Sequence, residues 1–281
     1  MKTFSIVVPV HNEEFFLPSF LKSVCSQNLL PEEMILVDDN SNDRTKKIMM
    51  DYQDKNDFIR VFSHKSSNEH MPGPKVVKAF LFGYSKLTKP YDFILKLDAD
   101  LILPAKYFQF ISNAFLNPRI GIVGGILIEP SKKGTWENAH PMKNNHVRGG
   151  LKAYSLNCYR KIGGLIPEMG WDTIDEILAT YHGYEVKVLN NAKVKHLRPI
   201  GSGYSRNSSF QQGQAFYKMR YGIIIGILAC LKGFLIKKSV SFLIWSILGL
   251  LNGYLKNESY MVTKSQGKFI RKFRFKSIFK S

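Results

Sequence analysis

Residues Phe4 to Val10 form an unbroken, largely β-branched apolar run. A run of that kind fits a strand buried on both faces, as in a parallel sheet with helices above and below. Phe15 to Gln27 then carries apolar residues at helical spacing, and Met34 to Val37 repeats the strand pattern. The alternation continues with a helix over Asp43 to Tyr52, a strand over Ile59 to Ser63 and a helix over Lys75 to Leu87. A strand over Asp92 to Leu97 runs into Asp98-Ala99-Asp100. This order predicts right-handed βαβ crossovers and an α/β fold whose mainly parallel sheet is covered by helices on both faces. Ligands are expected at the carboxyl ends of its strands.

Further along, the pattern predicts a helix around Pro104 to Leu116 and a strand over Ile120 to Ile128. A long polar loop, Glu129 to Arg148, follows, of the kind that is usually functional in compact domains. Helices are predicted over Tyr154 to Ile162 and Asp172 to His182, with a short strand at Glu185 to Leu189. The sheet domain is expected to occupy residues 1–205.

Residues 206–281 differ in composition. Tyr221 to Ile236 and Val240 to Leu255 are apolar stretches separated by Lys237 and Lys238, and the second holds no charge. As a helix the second reaches about 24 Å, short of a roughly 30 Å hydrocarbon core, so an apolar helical hairpin lying in or shallowly entering the membrane fits better than a span. Eight basic residues and one acid follow from Lys256 onward. A polybasic segment beside an apolar anchor is drawn to anionic cytoplasmic lipid by about 1 kcal/mol per charge. The net charge of +18 thus has a partner in the membrane. Nucleic-acid binding would call for basic residues interleaved with stacking aromatics on a recognisable module, and no nucleic-acid partner is expected. Three scattered cysteines offer neither a disulfide framework nor a CxxC metal site, and the N-terminal apolar run is too short and too acidic for a signal segment. Together these features predict a cytoplasmic protein attached peripherally or monotopically to the inner face of the cell membrane.

Three groups of residues carry chemistry. Asp38 and Asp39, in the run Asp38 to Asp43, follow a strand directly; one member of the run is expected to cap the next helix, and the paired carboxylates to accept hydrogen bonds from a nucleobase or ribose. Asp98 and Asp100 flank a small residue at another strand end, where both can turn toward a hard divalent ion such as Mg2+ or Mn2+ that neutralises a leaving phosphate. Trp171-Asp172-Thr173-Ile174-Asp175-Glu176 has the form of a capping box at Thr173-x-x-Glu176, yet three carboxylates in one turn also suit a general base acting on an attacking hydroxyl. His196 is a candidate third metal ligand. Lys75, opening a helix after Gly73-Pro74, is a candidate phosphate contact. Gln211, Gln214 and Arg220 are candidates for an acceptor groove.

SIVVPVHNEE, VDDNSNDRT, LKLDAD and GWDTIDE, in this order, resemble the motifs of the inverting family 2 glycosyltransferases with the GT-A fold, of the bacterial membrane-associated type. The resemblance implies a metal-dependent, hexosyltransferase-like enzyme. Its donor would be a nucleotide-sugar, its cofactor Mn2+ or Mg2+, and its acceptor a glycan or a lipid-linked saccharide of cell-surface synthesis. It implies that Pro9, Asn12, Glu13 and Asp39 surround the nucleoside and that Asp98 and Asp100 bracket the diphosphate and metal. It also puts the base at Asp172, eleven residues before Gly183-Tyr184. Trp171 stands where the family pattern has Glu, and Asp175 remains a rival base. No Gln-x-x-Arg-Trp motif of the processive synthases is present, so single-sugar transfer is expected. Two other readings are a nucleotidyltransferase of the same fold, which the acidic His11-Asn12-Glu13-Glu14 disfavours, and a non-catalytic basic binding protein.

Overall fold

The computed structural model describes residues 2–66, 73–131, 134–138, 146–198 and 206–278. Among the described residues nine strands form one sheet in the order β3-β2-β1-β4-β8-β6-β9-β5, with β7 paired to β6. The first half matches the pattern read from the sequence. β1 (Phe4–Val10), β2 (Glu33–Asp39), β3 (Ile59–His64) and β4 (Phe93–Leu97) are mutually parallel, joined through α1 (Leu17–Cys25), α2 (Thr45–Gln53) and α3 (Pro74–Tyr84). All residues of β2 and β4 are buried, as expected where both faces are covered. The order reverses between β1 and β4, and such a switch point opens a crevice at the strands' carboxyl ends.

The second half is mixed. After β5 (Leu101–Ile102) and α4 (Tyr107–Ala114) come β6 (Ile120–Pro130), β7 (Trp136–Asn138) and β8 (Leu151–Ser155), which runs antiparallel to both β4 and β6. The segment read as a helix from Tyr154 therefore begins as a strand, and α5 (Leu156–Lys161) starts only after Ser155 caps it. Lys152 hides this strand from a hydrophobicity pattern, because it puts a charge in the middle of a buried run. α6 (Trp171–Tyr181) follows, then β9 (Glu185–His196), far longer than the strand expected to end at Leu189. Its pairing with β6 breaks between Leu189 and Lys193 and then resumes, so Asn190 and Asn191 sit in a bulge. β9 then reaches β5, where His196 pairs with Leu101.

Four helices complete the chain: α7 (Arg206–Lys218), α8 (Gly222–Lys237), α9 (Val240–Leu255) and α10 (Lys264–Ile278). α7 crosses α9 at glycines, since a methyl group at Gly213 would strike the Ser246 carbonyl and one at Gly249 the Phe210 carbonyl. α8 and α9 run antiparallel, with Gly226 against Leu250 and Gly233 against Phe242. Both leave apolar residues exposed: Ile223, Ile224, Ile227, Leu231 and Leu235 on α8, and Val240, Ile244, Leu248, Leu251 and Leu255 at helical spacing on α9. Among the described residues no helix is long and apolar enough to cross a membrane.

What docks α6 onto the sheet is a buried charge network. Lys96 and Lys152 stand directly opposite each other on β4 and β8, both nearly inaccessible to solvent. Like charges in that position repel. Lys96 pairs with Asp98, while Lys152 donates to Asp175 at 2.8 and 2.9 Å and lies 3.1 Å from Glu176. The Trp171 ring lies under both ammonium groups, at 5.5 and 5.8 Å. Burial alone would lower the Lys152 pKa, but Asp175, Glu176 and Asp172 outweigh it and hold the group above its ordinary value. Burial pushes the Asp175 carboxyl up, and Lys152 pulls it back. Lys152→Ala should therefore cost about 3–5 kcal/mol of stability by leaving buried carboxylates without their cation. Asp175 in that variant has a folded-state pKa raised further above its unfolded value, so the loss should be smaller at about pH 5 than at about pH 8. Urea unfolding at the two pH values checks both the size and the sign.

Candidate functional site

The acidic residues picked out in the sequence come from three strand ends, those of β1, β2 and β4, and one helix start, that of α6. Two loops are locked together first. Asn12, in the left-handed region at φ 53°, accepts from the Asn42 N–H at 2.9 Å, and the Glu13 N–H donates to Thr45 Oγ1 at 2.7 Å. The segments after β1 and β2 thus form one wall, with half-buried Pro9 paired to Val37 at its base. Asp38 and Asp39 are buried in this wall. Asp38 accepts the Ser41 N–H and Asp39 the Ser66 N–H, each at 3.2 Å. The helix-start function falls to Asp43, which accepts the Thr45 N–H at 2.9 Å and the Glu14 N–H at 3.2 Å.

A second cluster gathers at the ends of β4 and β9. β5 pairing brings His196 beside Asp100, with Nε2 3.3 Å from its carboxylate, while Nδ1 lies 3.0 Å from Glu129. Burial works against charge on this imidazole, but Asp100 and Glu129 outweigh it and raise its pKa. Arg198, two residues on, grips Glu13 through 2.7 and 2.8 Å contacts and approaches Asp100 to 3.9 Å. Burial, together with the Asp100 and Asp98 charges, pushes the Glu13 carboxyl up to about 7 despite Arg198. Three carboxylates thus crowd one crevice, and the inner Asp100 oxygen, Oδ1, is buried with no hydrogen-bond partner among the described residues. An oxygen-rich set with an orphaned buried carboxylate oxygen fits a hard divalent cation. Among the described residues no three His, Cys, Asp or Glu side chains already converge as a complete cage. Mg2+ sites commonly use only one or two carboxylates and take the rest from substrate phosphates and water.

The third cluster is the start of α6. Asp98 and Asp172 lie on either side of Gly149-Gly150. A methyl group at Gly150 would collide with the Asp98 carboxylate, and one at Gly149 would lie 2.8 Å from the Trp171 ring and 3.2 Å from Asp172 Cβ. The Asp98 N–H donates to the Gly150 carbonyl at 2.8 Å, which fixes that approach. Asp172 is half-buried at the edge of the crevice, whereas Asp175 is fully enclosed by Lys152 and by Tyr154, whose hydroxyl donates to it at 2.6 Å. The capping-box pattern does not act as one. The helix begins three residues early, after left-handed Gly170, and Glu176 instead accepts the Val147 N–H at 2.8 Å and contacts His146 at 2.8 Å. Lys75 sits in the first turn of α3, whose cap, Gly73, lies close to Met169 and Trp171.

Of the residues expected to line an acceptor groove, Gln214 donates to Asn252 and Glu258, and Arg220 donates to the Val262 carbonyl. Of the loop Glu129 to Arg148, residues 132–133 and 139–145 lie outside the described residues. Sequence reasoning missed Lys96, Lys152, Glu129 and Arg198. The available signal was a lysine inside each of two apolar strands, FILKL and LKAYS.

With this geometry in place, comparison with known proteins is informative. A relative from Photorhabdus laumondii subsp. laumondii, undecaprenyl-phosphate 4-deoxy-4-formamido-L-arabinose transferase, is 32% identical over 109 residues, which is 37% of this chain and 31% of the relative. Another, from Campylobacter jejuni, is GalNAc(5)-diNAcBac-PP-undecaprenol beta-1,3-glucosyltransferase, 32% identical over 75 residues, or 27% of this chain and 24% of the relative. The chain thus matches about a third or less of the length of these relatives. Among solved structures, S. aureus TarS 1-349 in complex with UDP-GlcNAc has a TM-score of 0.57 at 18% identity, covering 77% of this chain and 66% of that one. The mannosyltransferase PcManGT from Pyrobaculum calidifontis, in complex with GDP-Man and Mn2+, has a TM-score of 0.54 at 13% identity, covering 99% and 81%. These likenesses show the GT-A fold. Residues 5–171, more than half of the chain, match the family model for glycosyl transferase family 2, and the chain belongs to that family.

Proposed function

We propose that this protein is an inverting glycosyltransferase that moves a single sugar from a nucleoside-diphosphate sugar to the hydroxyl of a lipid-linked acceptor. It works at the inner face of the cytoplasmic membrane. The observation that carries the reading is the placement of Asp98 and Asp172 against the same Gly149-Gly150 pair, beside a crevice whose other wall holds Asp38 and Asp39. A donor lying across the strand ends would put its nucleoside against Pro9, Asn12, Glu13, Asp38 and Asp39, and its diphosphate near Asp98 and the first turn of α3 with Lys75. Asp98, Asp100 and His196 are the residues that would hold Mn2+ or Mg2+, which neutralises the diphosphate leaving group when bound.

Asp172 is the base in this reading. Its carboxylate takes the proton from the acceptor hydroxyl as that oxygen bonds to the anomeric carbon. The bond from that carbon to the diphosphate oxygen breaks on the opposite face, which inverts the centre. Asp175 is assigned to holding α6 in place, because a carboxylate with two hydrogen bonds from Lys152 and one from Tyr154 has little capacity left for a substrate proton. Positioning of donor and acceptor supplies most of the remaining acceleration. The undecaprenyl-linked substrates in the relatives' names support a lipid-linked acceptor, and the exposed apolar stripes of α8 and α9 with the basic residues after them support membrane attachment.

Release of nucleoside diphosphate from a panel of UDP-, GDP- and dTDP-sugars, with Mn2+ or Mg2+, tests the assignment. Asp98→Ala should abolish metal-dependent release, measured below the variant's melting temperature, and should also lower that temperature because buried Lys96 loses its carboxylate. Near-full activity in that variant would remove the metal assignment. Asp172→Asn should lower kcat by roughly 10²–10⁴-fold with donor affinity retained. Asp175→Asn should show its main effect as a lower melting temperature, and a reversed ranking would move the base to Asp175.

A further inference from the structure

A groove of about 260 Å³ runs between the start of α6 and helices α7, α8 and α10. One face of α8 lines it, with Ile225, Leu228, Lys232 and Ile236 at helical spacing, so that its apolar floor extends about 16 Å along the helix. Ile225 is buried and Ile236 is 70% exposed, so the floor leads from the exposed apolar surface of α8 into the body of the protein. Thr173, the neighbour of Asp172, lies in its wall, and α10 contributes Arg274. No carboxylate is among the described lining residues.

We infer that this groove seats the lipid end of the acceptor, a polyprenyl phosphate carrier, with its hydrocarbon along α8 and its phosphate held by Lys232 and Arg274. The inference rests on the transferase reading above. Three observations choose the occupant. Two cations in a lining that is mostly apolar, with Thr173, Gln212 and Tyr221 as its other polar members, match an amphiphile with an anionic head. A single apolar helix face suits one hydrocarbon chain rather than the two of a diacyl phospholipid. The wall shared with the first turn of α6 brings whatever lies there beside the proposed base, and an amphiphile held at that place is a substrate rather than bulk lipid.

The test is calorimetric titration of the full chain with farnesyl phosphate, alongside a separate titration with nucleoside diphosphates in the presence of Mn2+. Farnesyl phosphate should bind, and farnesol and dodecyl phosphate should each bind at least tenfold more weakly. Lys232→Glu, at an exposed position, should weaken farnesyl phosphate binding by at least tenfold, and Ala229→Trp, which fills the groove, should abolish it. Unchanged binding in both variants, with unchanged melting, would overturn the proposal. Equal affinity for farnesol would do the same for the phosphate contact, and equal affinity for dodecyl phosphate would reassign the groove to general anionic lipid. Nucleoside diphosphate binding without farnesyl phosphate binding would sink the groove and leave the transferase reading standing. Farnesyl phosphate binding with no nucleoside diphosphate bound would sink the transferase reading and, with it, the acceptor role of the groove, leaving only a polyprenyl-phosphate site.

Discussion

Two lysines face each other across β4 and β8 in the interior of the sheet, and the arrangement of the site follows from how their charge is balanced. Each ammonium group needs a carboxylate in a place that water does not reach. Lys96 takes Asp98 from the end of its own strand, and Lys152 takes Asp175 and Glu176 from α6, so the helix is tied to the sheet at one defined height and rotation. Trp171 closes the arrangement by laying its ring beneath both cations. With α6 held there, Asp172 comes to the crevice edge beside Gly149. A carboxylate on α6 that looked equivalent to its neighbours in sequence is thereby separated from them in environment.

The crevice is organised by the opposite imbalance. Glu13, Asp98 and Asp100 converge from the ends of β1 and β4, and their mutual repulsion, added to burial, holds Glu13 far above the usual carboxylate range even with Arg198 against it. Arg198 and His196 meet part of this charge, while the buried Asp100 Oδ1 has no hydrogen-bond partner among the described residues. Lys96 and Lys152 thus lie buried beneath the site, while Glu13, Asp98 and Asp100 with Arg198 line its opening.

Much of the parallel half was legible because local pattern and final environment agree there. FSIVVPV and MILV are buried on both faces, and their almost wholly apolar character, broken only by Ser5, says so directly. The second half was harder to read for specific reasons. LKAYS contains a lysine whose partners lie 20 or more residues away on α6, so its strand character is hidden until those partners are known. The strand expected to end at Leu189 continues past a bulge at Asn190-Asn191, and only the resumed pairing with β6 reveals a strand long enough to carry His196 to Asp100. Glu176 matched a capping box by spacing, yet a tertiary ion pair and the Val147 N–H claimed it.

The sequence by itself determined the fold class, the carboxylates at the strand ends and the apolar character of the last helices, because each depends on local periodicity or on the position of acids after an apolar run. Tertiary structure alone decided that Asp175 is enclosed while Asp172 lies at the crevice edge, that Glu129 and Arg198 join the acidic cluster, and that α6, α7, α8 and α10 leave a groove between them. Those outcomes depend on which distant charges share a low-dielectric interior and how closely helices can approach, and neither quantity is encoded in the spacing of residues along the chain.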